Sequence, residues 1–145
     1  MTVLAIAAAC LIDVQGRLLL VRKRGTQAFM LPGGKREAGE SAIAALQREL
    51  LEELNLPVPA EQFETLGQFH APAANEADTW IDAAIFVAPL TQQVAAAAEL
   101  EELAWLELHA PYRTDLAPLL RLHVLPALER LPRLFAQHVD AVPGG

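Results

Sequence analysis

Residues Gly33–Leu56 read GGKREAGESAIAALQRELLEELNL, and this stretch determines how the rest of the chain is interpreted. Apolar residues recur in its middle at helical spacing: Ile43, Leu46, Leu50 and Leu54. This period predicts an amphipathic helix over Ser41–Leu54. Ser41 is the predicted N-cap, because its hydroxyl can accept a hydrogen bond from a free N–H group of the first turn.

Three carboxylates lie beside the apolar stripe, on Glu49, Glu52 and Glu53. Their spacing places them on one patch of the helix surface, where like charges destabilise a helix by about 0.2–0.5 kcal/mol per pair. No basic residue follows any of them at i+4, and Arg48 is predicted to point about 100° away around the helix. Two interpretations remain open from these residues alone. The patch is either a solvated acidic face or a site for a hard cation such as Mg²⁺ or Mn²⁺.

The residues in front of the helix favour a ligand site. Pro32–Gly34 predicts a turn, in which glycine permits positive φ and a close approach of the backbone to a ligand. Glu40 lies where the loop meets the helix. Folding can therefore bring a fourth carboxylate toward the same patch.

The segment resembles the Nudix box, whose pattern is G-x5-E-x7-R-E-U-x-E-E-x-G-U, with U an aliphatic residue. The positions in register are Gly34, Glu40, Arg48, Glu49, Leu50, Glu52, Glu53 and Leu56. A chance alignment has a probability below roughly one in ten million per starting position. Asn55 stands where the family has glycine. Because Asn is the next-best residue for the left-handed conformation that ends a helix, this difference concerns helix termination only.

The resemblance implies a metal-dependent pyrophosphohydrolase that cleaves a nucleoside diphosphate linked to another moiety. Such substrates are a nucleoside triphosphate, an oxidised nucleotide or a nucleotide sugar such as ADP-ribose, and the cofactor would be Mg²⁺ or Mn²⁺. The implied metal ligands are Gly33 (through its carbonyl), Glu40, Glu49, Glu52 and Glu53. Arg48 would orient the carboxylates, and Glu49 is the first candidate for general base. The alternatives are a non-catalytic metal- or nucleotide-binding sensor with the same fold, and a structural domain with an acidic surface.

Further candidate residues lie outside the box. Arg22 and Arg24 share one face of a predicted strand, and Lys23 lies on the other face. Arg22, Arg24 and Lys35 are candidate phosphate contacts. Solvated surface side chains explain these residues equally well. His70 flanks a predicted loop, His70–Asp78, and is a candidate contact for a base or sugar.

An acidic residue near Trp105 is a candidate catalytic group. Several enzymes that resemble this family carry a further acidic ligand six residues before a tryptophan at this place, and Glu99 has that offset. Glu102, three residues before Trp105, is a weaker candidate, and a solvated acidic loop is the alternative for both. Pro72 follows the box by 16 residues, a spacing that resembles one proposed mark of ADP-ribose hydrolases. The short architecture resembles equally the enzymes that cleave nucleoside triphosphates, so the substrate stays open.

The order of predicted elements indicates the fold class. The predicted strands are Val3–Ile12, Arg17–Arg24, Phe63–Phe69, Thr79–Ala88 and Leu103–Leu106, and a helical region interrupted by Pro118, Pro126 and Pro132 follows them. Together with the resemblance, this order predicts an α/β fold: a Nudix-like α/β/α sandwich with a mixed β-sheet. We predict a single Nudix hydrolase domain over residues 1–145, with a loosely held tail at 139–145.

Composition limits the partners. The net charge of −7 and the pI near 5 argue against a nucleic-acid polymer or an anionic membrane surface. A phosphorylated small molecule stays compatible, because bound divalent cations reverse the local field. Cys10 lies in an apolar run, which predicts a buried, inert thiol and a reducing compartment. We read Val3–Ile12 as a buried strand and not as a signal peptide, and therefore predict a cytoplasmic protein. A homodimer is left open.

Overall fold

A six-stranded mixed sheet with helices on both faces forms the framework of the computed structural model, which describes residues 1–109 and 113–131. The strands are β1 (Thr2–Ile12), β2 (Arg17–Lys23), β3 (Gly33–Lys35), β4 (Glu64–Pro72), β5 (Thr79–Pro89) and β6 (Leu100–Glu107). The helices are α1 (Ala42–Leu54) and α2 (Leu125–Glu129), with a 3₁₀ turn at Ala60–Gln62 and a π-helical turn at Leu120–Val124. The predicted α/β fold is confirmed.

The central strand is β1, whose sequence is apolar on both faces. It pairs in parallel with β5 along its whole length, from Thr2 beside Thr79 to Ile12 beside Pro89. It pairs antiparallel with β2 and with β3, and the order across the sheet is β4-β5-β1-β2-β6. Cys10 is fully buried in this strand, and burial raises the pKa of its thiol. The prediction of a buried thiol is confirmed.

Alternation along β1 divides the core into two layers. One cluster packs beneath α1 and includes Ala7, Ala9, Leu11, Leu46, Leu50 and Leu54. The other packs beneath the C-terminal helical region and includes Ala8, Cys10, Ile85, Leu120, Val124 and Leu128. Each fully buried leucine contributes about 1.5–3 kcal/mol relative to an exposed one, so both helical layers are held by ordinary hydrophobic packing.

The helix α1 begins and ends where its sequence predicts. The Ser41 hydroxyl accepts a hydrogen bond from the N–H of Ala44 at 3.1 Å. At the other end Asn55 has φ 53°, in the left-handed region, and its N–H donates to the Leu51 carbonyl at 3.1 Å. The Leu56 N–H donates to the Leu50 carbonyl at 3.2 Å, and Pro57 follows. Asn55 therefore performs the helix-ending role of the usual glycine.

The prediction of a turn at Pro32–Gly34 is wrong. Gly33–Lys35 forms β3, which pairs antiparallel with β1, so that Gly33 lies opposite Ala8 and Gly34 opposite Ala7. The strand fits there because β1 and β2 diverge after their contact at Ile12 and Leu18. The chain before β3 joins the other side of the gap, since Val21 and Met30 exchange both backbone hydrogen bonds at 2.7–2.8 Å.

Three further boundaries differ from the sequence prediction. β4 continues through His70 to Pro72, so the following loop is shorter than predicted, and β6 begins at Leu100 and not at Leu103. Pro126 is predicted to kink or break the C-terminal helix; the helix continues through it, but the Leu125 N–H donates to the Leu120 carbonyl, five residues back, which makes a π-turn. Proline lacks the N–H that would bond four residues back, which explains the irregular turn just before it.

None of the helices in residues 1–109 and 113–131 is long and apolar enough to cross a membrane. Pro132 and the predicted tail at 139–145 lie outside the described residues.

Candidate active site

The acidic patch of α1 differs in exposure from one carboxylate to the next. The Glu52 side chain is 56% exposed, that of Glu49 is 15% exposed, and Glu53 is buried. The helix turns Glu53 toward the sheet, beside the apolar stripe of Leu46 and Leu50. One carboxylate of the patch therefore enters the core while another stays in water.

Arg48 organises the two carboxylates at the N-terminal side of this patch. Its guanidinium binds Glu40 at 2.9 Å through two nitrogens and Glu49 at 2.9 Å through a third, and Glu52 lies 3.9 Å away. The prediction that Arg48 points away from the patch is wrong, because its long side chain reaches around the helix. The bond from Arg48 lowers the pKa of Glu40 to about 2.

Glu53 is a buried carboxylate with little to stabilise its charge. It is 3% exposed, and its Oε1 accepts a hydrogen bond from the Gly33 N–H at 3.1 Å. Burial raises its pKa to about 8, with smaller contributions from the negative charges of Glu49 and Glu99, while the Gly33 N–H and Lys23 act in the opposite direction. Burial likewise raises the pKa of Glu49. Strongly shifted carboxyls of this kind are concentrated at functional sites.

The two glycines of β3 allow the strand and the helix to approach closely. A methyl group on Gly34 would come within 2.5–2.8 Å of the Glu49 carboxylate atoms. Gly33 has φ 148°, and a methyl group there would overlap the Ala7 carbonyl. Backbone packing therefore requires glycine at position 33, whereas at Gly34 the neighbour is the end of a flexible side chain that belongs to a candidate site residue.

A cavity of about 470 Å³ opens beside Glu53, within the usual range for small-molecule sites. Its apolar part includes Leu4, Ile6, Ile81, Leu119 and Leu120. Its polar part includes Lys23, Arg24, Lys35, Glu53, Asn75, Glu76 and Glu99. Pro72 and the loop that follows β4 form one wall. The cavity thus combines an apolar region with charges of both signs.

Glu99 reaches this cavity through an irregularity between β2 and β6. The register shifts between Arg22, opposite Glu102, and Lys23, opposite Leu100. The Arg24 N–H donates to the Glu99 carbonyl at 2.8 Å, which fixes the residue before β6 against the end of β2. Glu99 is close enough to Glu53 for its charge to raise the pKa of Glu53.

The described residues contain no group of three or more His, Cys, Asp or Glu side chains already arranged to hold a metal ion. Arg48 draws Glu40 and Glu49 to its guanidinium, and Glu52 extends toward solvent, which explains why the carboxylates do not converge. The donor set nevertheless suits a hard divalent cation, because it consists of carboxylate oxygens, one of them buried and hydrogen-bonded to a backbone N–H.

The structure brings some predicted site residues to the cavity and leaves others away from it. Glu53, Glu99, Arg24, Lys35 and Gly33 line the cavity. Arg22 instead binds Glu102, and His70 stacks on Trp80 with ring centroids 5.3 Å apart, so neither lies at the cavity.

Lys23 lines the cavity but was not among the predicted site residues. The alternation of side chains along the strand predicts that Lys23 lies on the face opposite Arg22. This is the one signal in the sequence that could have identified Lys23 as a site residue.

The family model described as NUDIX domain matches residues 1–128, and the chain therefore belongs to the Nudix family and is a Nudix hydrolase. No curated protein matches the chain.

Solved structures share the fold. A MutT NUDIX hydrolase from Burkholderia pseudomallei is 22% identical with a TM-score of 0.70, over 90% of this chain and 99% of that chain. A MutT/nudix family protein from Enterococcus faecalis is 19% identical with a TM-score of 0.69, over 91% of this chain and 62% of that chain. A bifunctional NMN adenylyltransferase/ADP ribose pyrophosphatase from Francisella tularensis, complexed with AMP and a manganese ion, is 19% identical with a TM-score of 0.62. This chain spans 42% of the length of the Francisella protein, and 90% of this chain is covered.

Proposed function

We propose that the protein is a Mg²⁺- or Mn²⁺-dependent pyrophosphohydrolase that cleaves a nucleoside diphosphate linked to another moiety. The observation that carries the proposal is the placement of the buried Glu53 carboxylate at a cavity that also holds Glu99 and three cationic side chains. An acidic group beside cations suits a phosphorylated substrate that arrives with a divalent ion. The manganese ion and AMP of the Francisella structure are consistent with this chemistry in a protein of the same fold.

The carboxylates of the box would hold the metal. Glu49, Glu52 and Glu53 are the proposed ligands, with Glu40 and the Gly33 carbonyl as further ones. Divalent ions, when bound here, would neutralise charge on the pyrophosphate and lower the pKa of an attacking water. Because Arg48 binds Glu40 and Glu49 in the described structure, its role is to keep these carboxylates close together against their repulsion.

Two carboxylates are candidates for the general base. Glu49 is the first by resemblance, and Arg48 bonds it at 2.9 Å. Glu99 lines the cavity and makes no salt bridge at 4.0 Å or less within residues 1–109 and 113–131. A base must be free to accept a proton, and this requirement favours Glu99 as long as Glu49 is held by Arg48 or by a cation.

The cavity fits a nucleotide in two parts. Arg24 and Lys35, which line the cavity, are the proposed phosphate contacts. The apolar side chains of Ile6, Ile81 and Leu119 suit the flat face of a base. A triphosphate and a nucleotide sugar both present these two parts, and Pro72 on the cavity wall keeps ADP-ribose among the candidates.

A product assay with a panel of nucleotides tests the proposal. Nucleoside triphosphates, an oxidised nucleotide and ADP-ribose would be incubated with Mg²⁺, with Mn²⁺ and with a chelator, and the products identified. The expected result is cleavage of a phosphoric anhydride bond in at least one substrate, only with metal. Tight, metal-dependent nucleotide binding without any cleavage would contradict it and would favour the sensor alternative. A cytoplasmic location and a homodimer stay predictions.

A further inference from the structure

Lys23 ends β2 and faces the cavity together with Glu53 and Glu99. The β-bulge after Arg22 sets the direction of the Lys23 side chain, because the register between β2 and β6 shifts at this point. The Lys23 carbonyl accepts hydrogen bonds from the Thr26 N–H at 3.1 Å and the Thr26 hydroxyl at 2.8 Å. The backbone that carries this ammonium group is therefore held at its carbonyl by both the backbone and the side chain of Thr26.

Lys23 differs from the other cations at the cavity. The Arg24 side chain is 70% exposed and lies 3.5 Å from Glu101, and Lys35 is exposed as well. Lys23 is partly buried, and within the described parts of the chain it makes no ion pair at 4.0 Å or less. It lines the same cavity as the buried Glu53 carboxylate, so its charge faces the region of the box carboxylates. A partly buried charge interacts more strongly than an exposed one.

Arg22, the neighbouring cation on β2, is already engaged elsewhere. Its guanidinium binds the Glu102 carboxylate at 3.0–3.1 Å and the Thr26 carbonyl at 2.8 Å. It also lies 6.0 Å from the centroid of the Phe29 ring. These contacts hold Arg22 on the far side of the strand from Glu53.

We propose that Lys23 binds oxygens of the substrate's diphosphate at the carboxylates of α1. This inference rests on the proposed function. An ammonium group offers three donors and acts as a point charge toward phosphate oxygens. Beside a carboxylate–metal centre the same positive charge repels a cation and attracts an anion. Removing it should therefore affect metal binding and diphosphate binding in opposite directions.

Two binding measurements on the full chain test the role of Lys23 without turnover. Binding of Mn²⁺ alone is followed by the paramagnetic resonance signal of the free ion. Binding of methylenediphosphonate, whose P–C–P link is not hydrolysed, is measured by calorimetry at saturating Mn²⁺. The variants are Lys23→Met, which keeps the aliphatic stem, and Lys23→Arg, which keeps the charge. Arg130→Met, on the exposed end of α2, is the control with the same change of net charge.

The expected result is that Lys23→Met weakens diphosphonate binding about tenfold, while its Mn²⁺ affinity is equal to or higher than that of the wild type. Lys23→Arg should restore most of the diphosphonate affinity, and Arg130→Met should match the wild type. Unchanged diphosphonate binding in Lys23→Met would overturn the inference, and so would a parallel loss of Mn²⁺ affinity or an equal loss in Arg130→Met. No binding of diphosphonate by the wild type would overturn it too. If the wild type hydrolyses no nucleotide, the proposed function is overturned. The measured binding of Mn²⁺ and of the diphosphonate is unaffected by that result.

Discussion

Glu53 gives the metal-free protein a distinctive pH dependence. Its pKa is about 8 in the folded protein and 4.5 as an ordinary carboxyl, so folding disfavours its ionised form. The contribution of the protonated Glu53 carboxyl to the free energy of unfolding is therefore fully present below about pH 4.5, and it is lost as the pH rises toward 8.

In chelator, the free energy of unfolding of the wild type should therefore fall between pH 5 and pH 9 by about 1–3 kcal/mol more than that of Glu53→Gln. Urea unfolding followed by tryptophan fluorescence measures this difference. Parallel pH curves for the two proteins would show that Glu53 does not ionise in this range.

Substitution of the two glycines of β3 distinguishes a glycine that the fold requires from a glycine that the candidate site requires. Gly34→Ala should fold, because the atoms that its methyl group meets are the end of the flexible Glu49 side chain. Displacement of Glu49 should lower turnover about tenfold or more. Gly33→Ala should instead destabilise the fold, because its methyl group meets the backbone of Ala7 and Ala8. Thermal unfolding and kinetics of the two variants provide the comparison, and a severe loss of stability in Gly34→Ala would contradict the first expectation.

Asn55 is explained by its backbone conformation alone. Its φ of 53° suits glycine better than any other residue. We expect Asn55→Gly to leave turnover unchanged and the unfolding free energy equal or higher by a few tenths of a kcal/mol. Chemical denaturation measures the change, and a large loss of stability would reveal a side-chain contact of Asn55.

At the scale of elements, the bulge between β2 and β6 distinguishes three neighbouring glutamates. Glu99 lines the cavity, whereas Glu101 pairs with Arg24 at 3.5 Å and Glu102 with Arg22 at 3.0 Å. Glu99→Gln should lower kcat much more than it raises KM, because charge is lost where the transition state needs it. Glu102→Gln should be milder and Glu101→Gln nearly silent. Kinetics of the three variants at saturating Mg²⁺ measure these effects. Small, equal effects of all three substitutions would show that the site consists of the box alone.

The elements differ in how far their sequences predict them. The bounds of α1 were predictable, because the N-cap, the 3.6-residue period and the Asn-Leu-Pro end are local signals. β3 was not predictable, because three residues become a strand only through pairing with β1, 25–29 residues earlier. The bulge that sends Lys23 and Glu99 to the cavity depends in the same way on a partner strand far along the chain.

At the scale of the molecule, the candidate site is assembled from separate segments on the sheet and α1. The carboxylates of the box were predictable from the sequence alone, because their spacing is local. The second wall, with Lys23, Pro72 and Glu99, is brought to the box by the β2–β6 pairing and the β4–β5 connection. Arg22 and His70 could not be separated from true cavity residues by sequence, because salt bridges and ring stacking decide where they point.

Turnover of Glu52→Gln and Glu53→Gln, measured against Mg²⁺ concentration with a substrate that the wild type cleaves, tests the central claim most directly. Glu129→Gln, an exposed residue on α2, is the control with the same change of charge. Both box variants should lose turnover on the order of a hundredfold or more, because each removes a ligand charge. Without metal their melting temperatures should equal or exceed that of the wild type, because Glu52→Gln relieves a like-charge contact and Glu53→Gln removes a buried carboxyl whose ionisation the fold disfavours. Near-wild-type turnover in both would contradict a metal-dependent site on α1.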